Sequence, residues 1–364
     1  MRKIEQIHSR EQSLQLQKKN RKVGSSRGVK ARIGEFLFGN PIIRAPREID
    51  LVDGDRSQIE LFFTMLRETL VDNPKCIYLS FEYTTIFKAM PMLVLYSIID
   101  DAREGLGVTT KINVMWSKRS GDVNAIIRIS GNFLPASTRE KLVESSDYLP
   151  VIMGDNSRAI ELSGKLVDYI LDKYFPEADA EKEQQISSAI QETIENVGRH
   201  AYPDVEDHTQ KCWWFDCNRI HDNLYIVIYD RGIGIPSSLS KNNAVFLARI
   251  NALYNEKYVD AVGEETTLDD LTKLERLKTW FSNNLNDGQL IRAAMHIDVT
   301  STDLAKHGQG SKSIKGLITN DENSYLLMFS NLGFYCYSKD REDTDRSIRN
   351  YEHTIPGTLI QWSI

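Results

Sequence analysis

The segment ETIENVGRHAYPD, residues 192–204, repeats polar groups at a four-residue spacing. At about 100° per residue, Glu192, Asn196 and His200 lie on one side of a helix. The apolar residues of this helix fall on another side, roughly 120° around by the same geometry; they are Ile186, Ile190, Ile194, Val197 and Ala201. The pattern predicts an amphipathic helix that packs on a sheet and presents an acid, an amide and an imidazole on its flank, with a merely solvated flank as the alternative.

A second segment, YIVIYDRGIGIP at residues 225–236, reads as an apolar strand that runs into Asp230, Gly232 and Gly234. Glycines allow a backbone to approach a planar ligand closely, and a carboxylate accepts a hydrogen bond from an amino group. An adenine ring with its exocyclic amine satisfies both requirements. The alternative is an ordinary turn at the end of a strand.

A third segment, KHGQGSKSIKGLI at residues 306–318, has Gly308 and Gly310 before a helix that carries Lys312 and Lys315. A glycine-rich turn at a helix N-terminus presents free N–H groups to phosphate, and a nearby lysine adds positive charge. A linker followed by a basic helix is the alternative. Taken alone, each of the three segments is a weak signal.

Together and in this order, the three segments resemble the GHKL, or Bergerat-fold, ATPase superfamily. The resemblance covers about residues 155–364, and the final segment PGTLIQWSI, residues 356–364, is similar to the late strand that closes the adenine site. The first segment is most similar to the anti-sigma protein kinases of bacteria. The chain departs from that branch in its glycine loop, GQGSKSIKG, and in a much longer connection at residues 237–307.

The resemblance implies ATP and Mg2+ as ligands and assigns a role to each matching residue. Asn196 would hold the Mg2+ that bridges the phosphates. Glu192 would orient or deprotonate an attacking water or hydroxyl. Either Arg199 or His200 would lie near the phosphates.

The other two segments would complete the nucleotide site. Asp230 would accept the hydrogen of the adenine amine, directly and through a water shared with Thr358. Residues 237–307 would form a lid. The remaining positions would line the base and the phosphates; they are Gly232 and Gly234 for the base, and Gly308, Gly310 and Lys312 for the phosphates.

We expect an α/β protein with three parts: a basic flexible arm at residues 1–35, a small α/β domain at 36–150, and a GHKL domain at 151–364. The GHKL domain would be a Bergerat-type sandwich with helices on one face of a mixed sheet. The small domain would contain strand–helix–strand units, with strands at CIYLSFE (76–82), KINVMWS (111–117) and AIIRISG (125–131). It is faintly similar to the STAS domain, which would make it a docking or sensing module.

Charge is distributed unevenly along the chain. The net charge is −6, yet residues 1–47 hold 12 Lys/Arg against 3 Asp/Glu, a net of +9. The acidic remainder argues against broad contact with nucleic acid. The basic arm could contact nucleic acid, an acidic protein or lipid headgroups, or it could be a solvated tail. We expect a protein partner or a homodimer.

Composition excludes two classes of protein. No apolar run approaches the ~20 residues that span a bilayer, and no signal segment opens the sequence, so we expect a cytoplasmic protein without a membrane partner. Four cysteines in 364 residues do not form a disulfide scaffold, and we expect them to be reduced.

Three functions fit the resemblance. The first is an ATP- and Mg2+-dependent regulatory ATPase in which nucleotide controls the lid and the contacts with a partner or a second subunit. The second is a serine/threonine protein kinase of the anti-sigma partner-switching type. The third is a nucleotide-gated scaffold that does not hydrolyse ATP. The long lid favours the first and the wording of the ETIENVGRHAY segment favours the second. A role in bacterial regulation or defence rests on analogy alone.

Overall fold

The computed structural model describes residues 35–143, 148–220, 222–241, 250, 253–254, 256–257, 259, 279–281, 283–296, 309–318, 323–339 and 347–364. Glu35–Ile364 forms one compact unit. The arm predicted at residues 1–35 lies outside the described residues apart from Glu35, and so does most of the lid predicted at 237–307.

The first part of this unit is built on a four-stranded sheet. Its order is β1 (Phe36–Leu37), β2 (Asn40–Arg44), β4 (Cys76–Ser80) and β6 (Lys111–Met115). β1 and β2 form an antiparallel hairpin, whereas β2, β4 and β6 are parallel. Helices α1 (Arg56–Val71) and α2 (Ala89–Asp100) connect the parallel strands, so the predicted strand–helix–strand units are present. A short parallel pair, β3 (Glu48–Ile49) and β5 (Ile86–Phe87), precedes α2.

The second part is built on a five-stranded sheet in the order β10–β11–β9–β8–β7. The strands are β7 (Ile152–Asp155), β8 (Cys212–Ile220), β9 (Asn223–Asp230), β10 (Tyr325–Ser338) and β11 (Ile348–Ser363). The helices in this part are α5 (Ala159–Tyr174), α6 (Ala180–Asn196), α7 (Gly234–Lys241), α8 (Asp287–Ala294) and α9 (Gln309–Gly316). The boundary predicted at residue 150 lies between the two sheets along the chain.

Helix α2 is apolar all round and every one of its residues is buried. A helix without a polar face needs packing partners on all sides. α2 packs under the four-stranded sheet and also against one face of the five-stranded sheet, so a single core contains Leu93 and Ile99 together with Tyr229 and Leu359. This core includes residues from both sides of position 150.

The opposite face of the five-stranded sheet carries a second core. Ile186, Ile190 and Ile194 of α6 pack there against Phe215 and Ile228, as the sequence pattern predicts. Helices therefore cover both faces of this sheet. The helices α5, α6, α8 and α9 contribute to the core on one face, and α2 of the preceding part covers the other face.

The expectation of a mixed C-terminal sheet is wrong for the strands that the structure describes. Every strand pair that the structure describes in the five-stranded sheet is antiparallel. The reason is local, since β8 and β9 form the hairpin predicted from the sequence and β10 and β11 form another antiparallel pair. The mixed sheet of this protein is the four-stranded one.

The segment AIIRISG, predicted as a strand, belongs to helix α3 (Gly121–Ile129). The side chain of Ser120 accepts a hydrogen bond from the Val123 N–H and caps the helix, and Val123 and Ile127 then recur on one buried face. Gly131 follows with a φ of +101°. A short helix, α4 (Ala136–Leu142), comes next. Among the described residues, no helix has both the length and the apolarity to span a membrane.

Candidate functional site

The three segments singled out in the sequence meet at one cavity of about 440 Å3. The cavity lies on the face of the five-stranded sheet that also carries α6. Eight of the residues predicted for the site line it: Glu192, Asn196, Arg199, His200, Asp230, Gly234, Gly310 and Thr358. These positions are up to 166 residues apart in the chain (192 to 358), and the fold brings them together.

The floor of the cavity consists of two neighbouring rows of the sheet. In the first row Asp230 of β9 lies opposite Thr358 of β11. In the second row Ile228, Ile360 and Met328 lie side by side on β9, β11 and β10. Side chains two residues apart point to the same face of a strand, so the polar row and the apolar row both face the cavity. A carboxyl and a hydroxyl thus border a flat apolar surface.

Asp230 is almost completely buried at the end of β9, with 5% of its surface exposed. Its Oδ1 accepts a hydrogen bond from the Gly232 N–H at 2.8 Å. Burial raises the pKa of Asp230 to about 7, although the hydrogen bonds from Gly232 and Thr358 act in the opposite direction. A carboxyl that titrates near neutrality and faces a cavity is typical of a functional group.

Helix α6 forms the wall above this floor. Glu192 and Asn196 lie one turn apart near its end, and the chain continues as a π-helical turn, Val197–Ala201, that carries Arg199 and His200. π-helical turns are rare and are frequent at functional sites. Arg199 forms an ion pair with Glu195, and its Nη1 lies 3.7 Å from Oε1 of Glu192. The wall therefore carries one carboxylate, one amide, one imidazole and one guanidinium.

The two glycines after Asp230 have different roles. Gly234 lines the cavity with a φ of +79°, a backbone conformation that favours glycine. Gly232 packs instead against α6, where a Cβ would lie 2.2 Å from the carbonyl oxygen of Ala201. Gly232 is not among the residues that line the cavity. Its missing side chain serves the contact between two segments of the protein.

The glycine loop of the third segment is described only from residue 309, so Gly308 lies outside the described residues. Gly310, in the first turn of α9, lies so close to α6 that an added Cβ would be 2.5 Å from Oε1 of Glu192. Lys312 is exposed and is not among the residues that line the cavity. In α9 the Lys312 side chain points outward, whereas Ser311 and Ile314 line the cavity.

The described residues of the predicted lid contribute a further wall. Ser238 and Leu239 of α7, Ala294 of α8 and the adjacent Met295 line the cavity. A small apolar cluster, which includes Ile250, Tyr254 and Phe281, packs behind them. These described residues of the predicted lid, 237–307, therefore form part of the cavity wall.

The residues that hold the segment 231–235 in place (the Asp230 loop) were not predicted from the sequence. On β10, the Ser330 hydroxyl accepts a hydrogen bond from the Ile235 N–H and donates one to the Gly357 carbonyl, both at 2.8 Å. The side-chain amide of Asn331 donates to the Ile233 carbonyl at 3.1 Å. Asn331 has a φ of +53° at an irregularity in the β10–β11 pairing. Asparagine followed two residues later by glycine, as in SNLG, is the one signal of such a bulge.

Tyr202 is a second supporting residue. Its hydroxyl donates a hydrogen bond to the Cys212 carbonyl at 2.8 Å and accepts one from the Arg231 N–H at 3.1 Å. Arg231 in turn forms an ion pair of 2.6 Å with Asp101, which follows α2. These contacts connect the end of α6, the Asp230 loop and the first part of the protein.

Comparison with known proteins assigns no family to the chain: no family model matches it, and a search of curated proteins finds no match. Among the described residues, no three His, Cys, Asp or Glu side chains form a cluster that could hold a metal ion. The carboxylate and amide oxygens at the cavity come from Glu192 and Asn196 on its wall and Asp230 on its floor.

Proposed function

We propose that this cavity binds ATP with Mg2+ and that the protein is a regulatory ATPase. The observation that carries the proposal is that all three segments contribute residues to one cavity. Its volume of about 440 Å3 lies within the ~300–1,000 Å3 usual for small-molecule sites. We also propose that the five-stranded sheet with α5 and α6 corresponds to the Bergerat sandwich.

The adenine would lie on the apolar row of Ile228, Ile360 and Met328. Its exocyclic amine would donate a hydrogen bond to Asp230, with Thr358 beside it. A base that packs on an apolar surface and pairs with one buried carboxylate gains both affinity and specificity, because a competing ligand without the amine leaves the carboxylate unpaired.

The phosphates would extend along α6 toward α9. Mg2+ would supply charge neutralisation for the phosphates, and it requires only one or two protein ligands because phosphate and water complete its shell. The Asn196 side-chain oxygen fits that requirement. Glu192 would orient the attacking water, and Arg199 or His200 would offset negative charge on the phosphates.

Transfer to a protein hydroxyl is the second candidate. The ETIENVGRHAY segment favours it, because this segment is most similar to the anti-sigma kinases. Glu192 would then activate a serine or threonine hydroxyl in place of water. Partner or dimer contacts that respond to the nucleotide belong to both candidates.

The test is incubation with γ-labelled ATP, alone and with lysate. Label in free phosphate supports the ATPase, label in a protein supports the kinase, and binding without transfer supports the non-hydrolysing scaffold. Glu192→Ala is expected to abolish turnover and preserve nucleotide binding, whereas Asp230→Asn is expected to weaken binding. Calorimetry that detects no binding of adenine nucleotides by the wild-type chain would reject all three.

A further inference from the structure

A second and larger cavity, of about 690 Å3, lies on the opposite face of the five-stranded sheet. Neighbouring residues of β11 separate the two cavities, since Ile360 lines the first and Gln361 lines the second. The second cavity also reaches the start of α2 and the start of α3. Its volume is that of a small-molecule site.

Gln361 is a polar residue in an apolar row of the sheet. It lies between Val227 and Leu327 on the neighbouring strands, and only 5% of its surface is exposed. Its Nε2 donates to the Ser363 hydroxyl at 3.0 Å. Its Oε1 accepts no hydrogen bond from the residues that the structure describes. Gln361 lines the cavity, so this oxygen is available to a hydrogen-bond donor on a ligand.

The start of α2 offers the complementary group. Helix α2 begins without a side-chain cap and without an acidic residue in its first turn. Ala89 and Met90 line the cavity, and their N–H groups have no hydrogen-bond acceptor among the described residues. Lys88, whose side chain is exposed, stands at the same place. Free N–H groups, the helix dipole and a lysine together attract a carboxylate.

The remaining wall contains both apolar and acidic residues, which suits a ligand that carries a positive and a negative charge. Phe87, Met90, Val123 and Leu327 provide apolar surface. Asp50, Asp53 and Asp122 also line the cavity, and their negative charge opposes a ligand that is only an anion. A ligand with one carboxylate, one ammonium group and an apolar side chain matches all three parts of the wall.

We propose that this second cavity binds an apolar or aromatic amino acid. The ligand carboxylate lies at the start of α2 beside Lys88, its ammonium group donates to Oε1 of Gln361, and its side chain packs on the apolar wall. This inference does not depend on the function proposed for the first cavity.

The test uses the full chain with L-leucine and L-phenylalanine as probes, followed by thermal unfolding and calorimetry. Both amino acids are expected to raise the unfolding temperature. Isoamylamine, which lacks the carboxylate of leucine, and 4-methylpentanoate, which lacks the ammonium group, are expected to leave it unchanged. The proposal is overturned when neither amino acid binds, or when either analogue binds as tightly as leucine.

Two substitutions locate the site. Gln361→Leu and Lys88→Ala are each expected to weaken amino-acid binding about tenfold, the effect of one charge-assisted hydrogen bond. Gln361→Leu places an apolar residue between Val227 and Leu327, so its unfolding temperature without ligand should not fall. Lys75→Ala, a change of an exposed lysine that does not line the cavity, is the matched control. Wild-type affinity in both test variants would overturn the proposal.

Discussion

Asp230 is the buried carboxyl on the floor of the first cavity. It ends an apolar strand, so the sequence alone predicts its place at the edge of a sheet. The sequence does not predict the raised pKa of Asp230, because its burial depends on contacts that are remote in the chain. Ser330 and Asn331 were missed for the same reason, since their partners lie 95 and 98 residues away.

The pKa of Asp230 predicts how adenine-nucleotide binding depends on pH. A hydrogen-bond donor on the ligand favours the ionised carboxylate of Asp230. Below about pH 7, binding must therefore first remove a proton from this carboxyl. The affinity for ADP is expected to fall as pH decreases from 8 to 6, approaching a factor of ~10 per pH unit. Calorimetry at pH 6, 7 and 8 measures it. Asp230→Asn should remove the part of the pH dependence that comes from the carboxyl and keep the part that comes from the ADP phosphates. If the pH profile of ADP affinity is the same in the variant as in the wild type, Asp230 is not the group that pairs with adenine.

A second buried carboxyl, Asp216 on β8, predicts how stability depends on pH. Burial raises its pKa to about 7, while Asn218 donates a hydrogen bond to it at 2.6 Å. Its folded pKa lies above its unfolded pKa of ~4. The folded state therefore binds more protons between pH 4 and 7, and stability decreases as pH rises through that window.

Asp216→Asn is expected to stabilise the protein at pH 8 relative to the wild type by ~2 kcal/mol, because a neutral amide replaces a buried charge and still accepts from Asn218. Urea unfolding at pH 5 and pH 8 measures the change. The gain should be smaller at pH 5. An equal effect at both values would mean that Asp216 does not titrate in this range.

At the scale of elements, helix α2 is held by a buried ion pair. Arg139 of α4 binds both carboxylate oxygens of Asp100, at 3.0 and 2.6 Å, and both side chains are fully buried. The indole N–H of Trp214 on β8 donates to the same carboxylate at 3.0 Å. The apolar run at 89–99 predicts the helix, but no local pattern shows that Asp100 pairs with a residue 39 positions later.

Arg139→Met is expected to destabilise the protein by ~4 kcal/mol, because it leaves the Asp100 carboxylate buried with Trp214 as its remaining hydrogen-bond donor among the described residues. Adding Asp100→Asn should recover part of this loss, since the unpaired charge is then removed and the acceptor for Trp214 remains. Urea unfolding of both variants gives the comparison. A double variant that is less stable than the single one would contradict a charge-based explanation.

Helix α9 contacts α6 through Gly310, and this contact predicts an effect on turnover. Gly310→Ala would place a methyl group against the Glu192 carboxylate and displace it. We expect ATP turnover to fall at least tenfold while the unfolding temperature stays within a few degrees of the wild type. Gly316→Ala in the same helix is the matched control, because no atom lies within 4 Å of its Cβ position. Equal turnover of the two variants would argue against a role for this contact.

At the scale of the whole molecule, the sequence separates two halves that the structure joins in one core. The strand–helix–strand pattern of 36–150 and the hairpin of 212–230 were both predictable, because they follow from local periodicity. The packing of α2 on the five-stranded sheet was not, because an entirely apolar helix shows no preferred face. The strand predicted at 125–131 was wrong for a related reason, since a short apolar run suits either a strand or a helix.

The shared core predicts that residues 151–364 do not fold alone. Their separation from α2 would expose one face of the sheet, including Trp214, Tyr229 and Phe329. We expect this fragment to aggregate or to lack a cooperative unfolding transition. A chain of residues 35–364, which keeps the compact unit intact, should unfold cooperatively and is the control. A monomeric fragment with a sharp transition would restore the boundary at residue 150.

The position of β11 between the two cavities has a consequence for how this sequence can change. Thr358 and Ile360 face one side, and Leu359 and Gln361 face the other. Insertion or deletion of a single residue before Thr358 would exchange the two sets and give each cavity the side chains that line the other. Relatives of this protein should therefore vary the length of this strand in steps of two.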